Sequence, residues 1–247
     1  MSSRRLLVLG AIAYALALMV TAPATLVDAS LRRASDGRLR LTEAAGSLWS
    51  GSGQLEIREP DGRAGVARGI AWRVTPASLA RGRLVCEVGL EQAAQRFPVT
   101  LSFSGIELSN ADVSLPAAVL GIALPKLVPL GLTGEVAIHV AQLSIAGGGV
   151  EGKVTLRWRG AGSALTPLSP LGEYEVRVDS AGMKTHASLA TLAGPLELDG
   201  KGSWKQGDSI AFRATARVPA PHLQQLAPVL RLVAVETAKG VFELQLK

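Results

Sequence analysis

The sequence of 247 residues contains one cysteine, Cys86, and only 4% aromatic residues. A single cysteine excludes an intramolecular disulfide and any zinc site built from several cysteines. Cys86 lies in phase with Leu84 and Val88, so we interpret it as a small buried hydrophobic residue. The low aromatic content, together with 27 glycines, favours many short strands joined by tight turns over long packed helices.

Motifs for catalysis are also lacking. There is no Gly-x-Ser-x-Gly, no Walker loop and no His-Glu-x-x-His. Residues 147–152 match the dinucleotide-binding pattern Gly-x-Gly-x-x-Gly, but the strand-like residues 153–158 follow where a phosphate site would need a helix. Three histidines stand alone without a second ligand at metal-binding spacing: His139, His186 and His222. We therefore predict no catalytic residue, no cofactor and no metal, and a protein that is not an enzyme.

The net charge of +6 is not concentrated in a pattern typical of nucleic-acid binding. Residues 1–33 carry +3 of it, on both sides of one apolar segment. The other basic residues mostly alternate with acidic or polar ones, and no basic run is interleaved with aromatic residues. We therefore predict no nucleic-acid partner.

The apolar segment at residues 6–27 contains no charged residue. A helix of this length extends about 33 Å, enough to cross the roughly 30 Å core of a bilayer. We predict a cytoplasmic stretch at residues 1–5, a transmembrane helix at residues 6–27 and an exported remainder. The alternative is a signal peptide cleaved near residues 27–29, which we disfavour because the uncharged stretch is long and Asp28 lies inside that cleavage site.

Beyond the apolar segment, residues 28–40 are interpreted as a juxtamembrane linker or short helix, and residues 41–247 as a β-rich periplasmic domain. Apolar and polar residues alternate with period two in five segments, which are residues 99–104, 136–140, 153–158, 173–178 and 210–217. Such half-buried strands are typical of antiparallel sheets with one covered face. The prediction is mainly β: an N-terminal transmembrane helix followed by an extended antiparallel, curved sheet, as a half-pipe, sandwich or barrel.

Three segments interrupt the alternation and predict short helices. Residues 75–80 place a proline near a helix start, residues 115–132 are apolar but contain three prolines, and residues 220–232 have helical spacing. We expect the second segment to form a pair of short helices that cover the sheet.

A recurring glycine-to-tryptophan segment is the main landmark of the sequence. It occurs at residues 46–49, 69–72, 152–158 and 200–204. Glycine permits tight turns, and an indole covers a wide area of an apolar sheet face. We predict core tryptophans at strand ends, with Trp49 anchoring the first strand.

Taken in order, these landmarks resemble type II secretion system protein N over nearly the whole chain. The residues that carry the resemblance, which we interpret as structural and diagnostic, are Gly46, Leu48, Trp49, Gly51, Trp72, Pro76, Leu79, Gly152, Trp158, Gly172, Tyr174, Gly200 and Trp204. The resemblance implies a single-pass accessory protein of the inner membrane in Gram-negative bacteria, with no enzymatic residues. Its implied partners are other type II secretion system subunits and, through residues 6–27, the inner membrane.

Two hypotheses follow for the role of the exported domain. In the first, a sheet edge or apolar face contacts other subunits as a scaffold or assembly factor. In the second, the chain is similar to AsmA-like proteins, which carry acyl chains along an open apolar groove, and lipid is a further partner. A continuous apolar trough would favour the second hypothesis.

Overall fold

The computed structural model describes residues 10, 21–58, 64–91, 96–205, 207–208 and 210–246. The chain forms two compact units, residues 1–91 and residues 92–247. Both units are built from antiparallel strands with a few short helices, which confirms the predicted mainly β, antiparallel fold class.

The amino-terminal unit is a four-stranded antiparallel ladder in the order β1-β2-β3-β4. Its elements are α1 (Thr25–Ala34), β1 (Leu39–Gly46), β2 (Ser50–Arg58), β3 (Ala64–Thr75), a 3-10 helix (Pro76–Arg81) and β4 (Arg83–Leu90). The 3-10 helix confirms the short helix predicted at residues 75–80. It begins at Pro76 because proline lacks the amide hydrogen that a first helical turn leaves unpaired.

Helix α1 is part of this folded unit. Ala24, just before it, is 2% exposed, and Val27 and Leu31 pack against the same core cluster. Part of the segment interpreted as a linker, residues 28–40, is therefore a helix packed on β1.

The predicted transmembrane helix at residues 6–27 lies mostly outside the described residues, as does the predicted cytoplasmic stretch at residues 1–5. The described end of the predicted helix differs from the prediction, because Ala22 and Ala24 are buried in the folded unit and residues 25–27 belong to α1. Among the residues that are described, no helix combines the length and the apolar character needed to cross a bilayer.

The carboxy-terminal unit is a longer antiparallel ladder, in the order β5-β6-β7-β8-β9-β10-β11-β12-β14-β13. Its strands are β5 (Phe97–Ser102), β6 (Gly105–Pro116), β7 (Leu132–Ala146), β8 (Gly149–Ser163), β9 (Gly172–Ala181), β10 (Lys184–Ala193), β11 (Glu197–Lys205), β12 (Phe212–Arg217), β13 (Val235–Ala238) and β14 (Val241–Leu246). Within the described part of this unit no pairing joins β5 to β13, so its ladder stays open instead of closing into a barrel.

One face of this ladder is apolar and is called the apolar face below. Directly opposed residues continue it from strand to strand, as in the row Val113, Ile138, Leu156, Val176 and Leu189. Opposed residues of an antiparallel pair share a face, so the predicted alternation produces one continuous apolar surface.

The alternation of β6 and β7 breaks near the middle of both strands. The backbone of Asn110 has a φ of +50°, and the pairing of β7 with β8 shifts between Val140 and Gln142. An extra residue in a strand reverses which side chains face the core. Because both strands contain such an irregularity, Leu108 of β6 and Leu143 of β7 stay directly opposed and remain on the apolar face.

Short helices accompany the ladder in the described part of this unit. They are α2 (Val119–Ala123), a 3-10 helix (Pro125–Leu130), a 3-10 helix (Ala220–His222) and α3 (Leu223–Leu230). Leu226 of α3 is 1% exposed and belongs to the core cluster that contains Phe242, which is fully buried. The short helices predicted within residues 115–132 and 220–232 are thus confirmed, and α3 packs on the apolar face.

Two strand predictions extend too far. Phe103 lies in the turn between β5 and β6 and is fully exposed, although its alternation with Leu101 predicted a place on the strand. Ile210 precedes β12 and is 43% exposed. Alternation alone does not show where a strand gives way to its turn.

Candidate functional site

The tryptophan landmarks of the amino-terminal unit meet in one core cluster. Trp72 on β3 is 7% exposed and packs with Leu41, Val74 and Ala24. Its indole nitrogen donates hydrogen bonds to the backbone carbonyls of Ser47 and Leu48, each at 3.2 Å. The indole therefore joins the centre of β3 to the turn between β1 and β2.

The turn that contains Trp49 differs in detail from its prediction. Gly46 ends β1 instead of opening a strand, Trp49 lies in the turn, and β2 begins at Ser50. Gly46 has a φ of +94°, a conformation that favours glycine. Trp49 is half-buried against the cluster, and its carbonyl accepts the Val74 amide at 2.7 Å.

Pro76, Leu79 and Cys86 lie around this cluster. Pro76 opens the 3-10 helix, and Leu79 in the same helix is 40% exposed, so neither belongs to the buried core. Cys86 on β4 is half-buried and packs against the cluster, as predicted for a small hydrophobic residue. Desolvation by burial raises the pKa of its thiol above the ordinary value.

The landmarks of the carboxy-terminal unit form a second group on the apolar face. Trp158 lies directly opposite Tyr174, with ring centroids 5.7 Å apart. The Tyr174 hydroxyl donates to the Leu196 carbonyl at 2.9 Å, and the Trp158 indole donates to the Thr133 carbonyl at 2.9 Å. Burial raises the pKa of Tyr174 well above its usual range.

The glycines of this group make room for large neighbours. A Cβ at Gly172 would collide with the Tyr174 hydroxyl, and one at Gly200 would lie 2.8 Å from the Phe212 ring. Gly152 continues the apolar face beside Leu143, while Trp204 on β11 is half-buried. The predicted residues thus fall into two separate groups, each of which packs a sheet.

The opposite face of the carboxy-terminal ladder is called the polar face below, and it holds an unusual buried carboxylate. The Glu175 side chain is 5% exposed, and the Nε of Arg157 donates to it at 2.8 Å while Arg177 pairs with its other oxygen at 2.5 Å. The hydrogen bond from Arg157, followed by that from Arg177, lowers the pKa of Glu175. The alternation pattern places these residues on one face but does not predict their contact.

One histidine contact was missed by the sequence analysis. His139 Nδ1 lies 2.7 Å from Asp112 Oδ1 across β6 and β7, because the two residues are directly opposed. Both side chains are mostly exposed, at 51% and 67%. Within the described ranges, no group of three or more His, Cys, Asp or Glu residues could hold a metal ion.

Comparisons with known proteins address the family. Residues 37–245 match the family described as Type II secretion system (T2SS), protein N. A comparison with curated proteins and a comparison with solved structures each gave no match. The match extends from just before β1 to the end of β14, so it includes both tryptophan groups. The chain belongs to the type II secretion system protein N family.

Proposed function

We propose that this chain is an inner-membrane-anchored, non-enzymatic accessory component of the type II secretion apparatus. In this role it acts as a scaffold that contacts other subunits during export of folded proteins across the outer membrane. The observation that carries the proposal is the family match over residues 37–245. The last strand of the ladder supports it, because β13 is an edge strand and an edge strand can accept a partner strand.

The carboxy-terminal edge is the contact we favour. The edge strand β13 is only four residues long and pairs with β14 through Val235, Glu236 and Ala238. Beyond Glu243, the outer side of β14 has no partner strand among the described residues. Val235 is 71% exposed and Leu232 is 60% exposed beside this edge. Unpaired backbone groups next to exposed apolar side chains suit strand addition by another subunit.

Lysine substitutions at this edge test the contact. We expect Leu232→Lys with Val235→Lys to reduce secretion and to abolish crosslinks from residue 245 to other subunits, while thermal stability stays unchanged because both side chains are exposed. Leu192→Lys, at an apolar residue 52% exposed on β10, is the matched control. Normal secretion and normal levels of the neighbouring subunits after gene deletion would refute the scaffold role.

The contacts of residues 22–28 support retention of the amino-terminal anchor. The Leu48 amide donates to the Ala22 carbonyl at 2.8 Å, and the Leu41 amide donates to Asp28 Oδ1 at 2.9 Å. Cleavage near residues 27–29 would cut α1 and remove buried Ala24 from the core. We propose that the apolar segment is retained as a single membrane span that ends before Ala22, with the folded part of the chain in the periplasm.

Intact mass measurement of the protein extracted from membranes tests this retention. We expect a chain that still includes residues 1–29, recovered in the membrane fraction after carbonate washing. A mature protein that begins at or after residue 28, or one released by carbonate, would overturn the proposed anchor.

Lipid handling remains the second candidate because of one observation on the apolar face. Leu156, Val176 and Leu189 are directly opposed on neighbouring strands and are each half-buried. A continuous apolar strip is the surface that an acyl chain would need. Native mass spectrometry of the detergent-free periplasmic domain tests this candidate, since absence of bound lipid after purification would count against it.

A further inference from the structure

The polar face of the carboxy-terminal unit contains cations placed directly against each other. Lys201 on β11 lies opposite Arg213 on β12, and Lys184 on β10 lies opposite Lys205 on β11. All four residues are exposed. Like charges directly opposed across two strands destabilise a sheet. Because these opposed cations lower the stability of the sheet, sheet packing does not explain why they are placed there.

The carboxylates of this face do not neutralise these cations. Glu175 is held by Arg157 and Arg177, Asp179 lies 3.9 Å from Lys153, and Asp199 lies 3.5 Å from Arg217. In the described part of the chain, none of Lys184, Lys201, Lys205 and Arg213 forms an ion pair. Asp208, an exposed acid, lies in the turn that follows β11. These four cations therefore carry charge that no carboxylate of the described residues offsets within ion-pair distance.

Two of these cations, Lys201 and Arg213, lie in one row with Arg177, the arginine that also pairs with Glu175. Arg177, Ser188, Lys201 and Arg213 are successive directly opposed residues of β9, β10, β11 and β12. With strands about 4.8 Å apart, the row extends roughly 14 Å. A single phosphate group is too small to contact cations at both ends of such a row.

An open depression of about 530 Å³ lies over the same row. Its lining includes Arg177, Ser188 and Lys201 of the row, but not Arg213, together with Ser203. The side chains of these lining residues end in a guanidinium, an ammonium and two hydroxyl groups. These groups donate hydrogen bonds, and charged donors bind carboxylates more strongly than neutral donors do. Asp179 and His186 complete the polar lining.

We propose that the polar face of β9–β12 binds an extended acidic polypeptide segment that lies across the strands. Alternate side chains of an extended segment recur about every 6.8 Å on one side, so successive carboxylates can reach cations along the whole row. The binding chemistry depends on this face alone. Only the assignment of the segment to a subunit of the secretion apparatus rests on the proposed function.

Fluorescence anisotropy of the full chain in detergent, with a labelled peptide of alternating glutamate and serine, tests the proposal. We expect salt-sensitive binding that is weakened about tenfold or more by Lys201→Gln with Arg213→Gln, because two charge-assisted contacts are lost. Lys239→Gln removes an exposed lysine from the turn between β13 and β14 and should leave the affinity unchanged.

A charge reversal separates binding from folding. Lys201→Glu faces Arg213 with an opposite charge, so we expect an equal or higher melting temperature together with loss of peptide binding. Equal peptide affinity in all variants would overturn the proposal. Binding of inorganic phosphate or of phosphatidylglycerol vesicles that depends on Lys201 and Arg213, without peptide binding, would also overturn it. The binding assay contains no other subunit. A negative result would therefore refute peptide binding without refuting the scaffold role, which the secretion experiments test separately.

Discussion

Gly51 lies directly opposite Trp72 on the neighbouring strand, so close that a Cβ on Gly51 would overlap the indole ring. The glycine thus makes the space that the buried tryptophan occupies. This relationship explains why the first landmark of the sequence contains glycine after its tryptophan, since the space is needed for Trp72 and not for Trp49.

Gly51→Ala is therefore expected to destabilise the amino-terminal unit by about 1–3 kcal/mol, the usual cost of overpacking a core. Gly149→Ala is the matched control, because its Cβ would lie 3.4 Å from its nearest neighbour, the Ala146 carbonyl oxygen. Chemical denaturation of both variants checks the prediction. Equal stability of the two variants would show that the ring can move aside.

Trp72→Ala should lower the free energy of unfolding by about 3–5 kcal/mol, as for a fully buried aromatic residue. The substitution should also leave the carbonyls of Ser47 and Leu48 without their indole donor. Trp49→Ala should cost less, about 2 kcal/mol, because its side chain is only half-buried. Thermal and chemical denaturation measure both values. A larger loss of stability for Trp49→Ala than for Trp72→Ala would contradict the prediction, which rests on the deeper burial of Trp72.

The Tyr174 hydroxyl provides a third prediction. Tyr174→Phe preserves the ring contact with Trp158 but removes the buried donor to the Leu196 carbonyl. The expected loss is about 1–3 kcal/mol, because a buried carbonyl loses its partner. Denaturation monitored by tryptophan fluorescence measures it, and an unchanged stability would mean that another donor replaces the hydroxyl.

Glu175 predicts a pH dependence of stability. Its pKa is lower in the folded protein than the ordinary value of 4.5, so its contribution is complete above that value and is lost as the pH falls through the folded pKa. Glu175→Gln should therefore lower the melting temperature at pH 7, and the difference from wild type should shrink below about pH 4.5. A difference that is constant from pH 7 to pH 3 would contradict this assignment.

Glu173→Gln is the matched control for this experiment. Glu173 lies two residues earlier on the same strand, but it is exposed, whereas Glu175 is buried between two arginines. We expect a smaller effect on the melting temperature at pH 7 than that of Glu175→Gln.

The period-two alternation was sufficient to predict five of the strands, β5, β7, β8, β9 and β12, although not their ends. Val136, Ile138 and Val140 share the apolar face, as their spacing indicated, because side chains on a strand must alternate. The helices at residues 115–132 and 220–232 were predictable for a related reason, since proline and helical spacing exclude a regular strand.

Features that depend on register could not be predicted in this way. The contact of Arg157 with Glu175 and the opposition of Lys201 and Arg213 require knowing which residues face each other across two strands. The shift near Val140 also reverses the expected alternation beyond it. Likewise, the burial of Trp72 rather than Trp49 depends on which of them lies over the core, and both have the same local pattern.

The pairing order of the long ladder has a consequence for how the chain folds. From β5 to β12, every strand pairs with the strand that precedes it in the chain, so most contacts form between nearby residues and the hairpins can add one after another. The last hairpin is the exception, because β14 pairs with β12 and leaves β13 outside. The ladder is therefore completed only when β14 pairs with β12, a step that also gives β13 its partner strand.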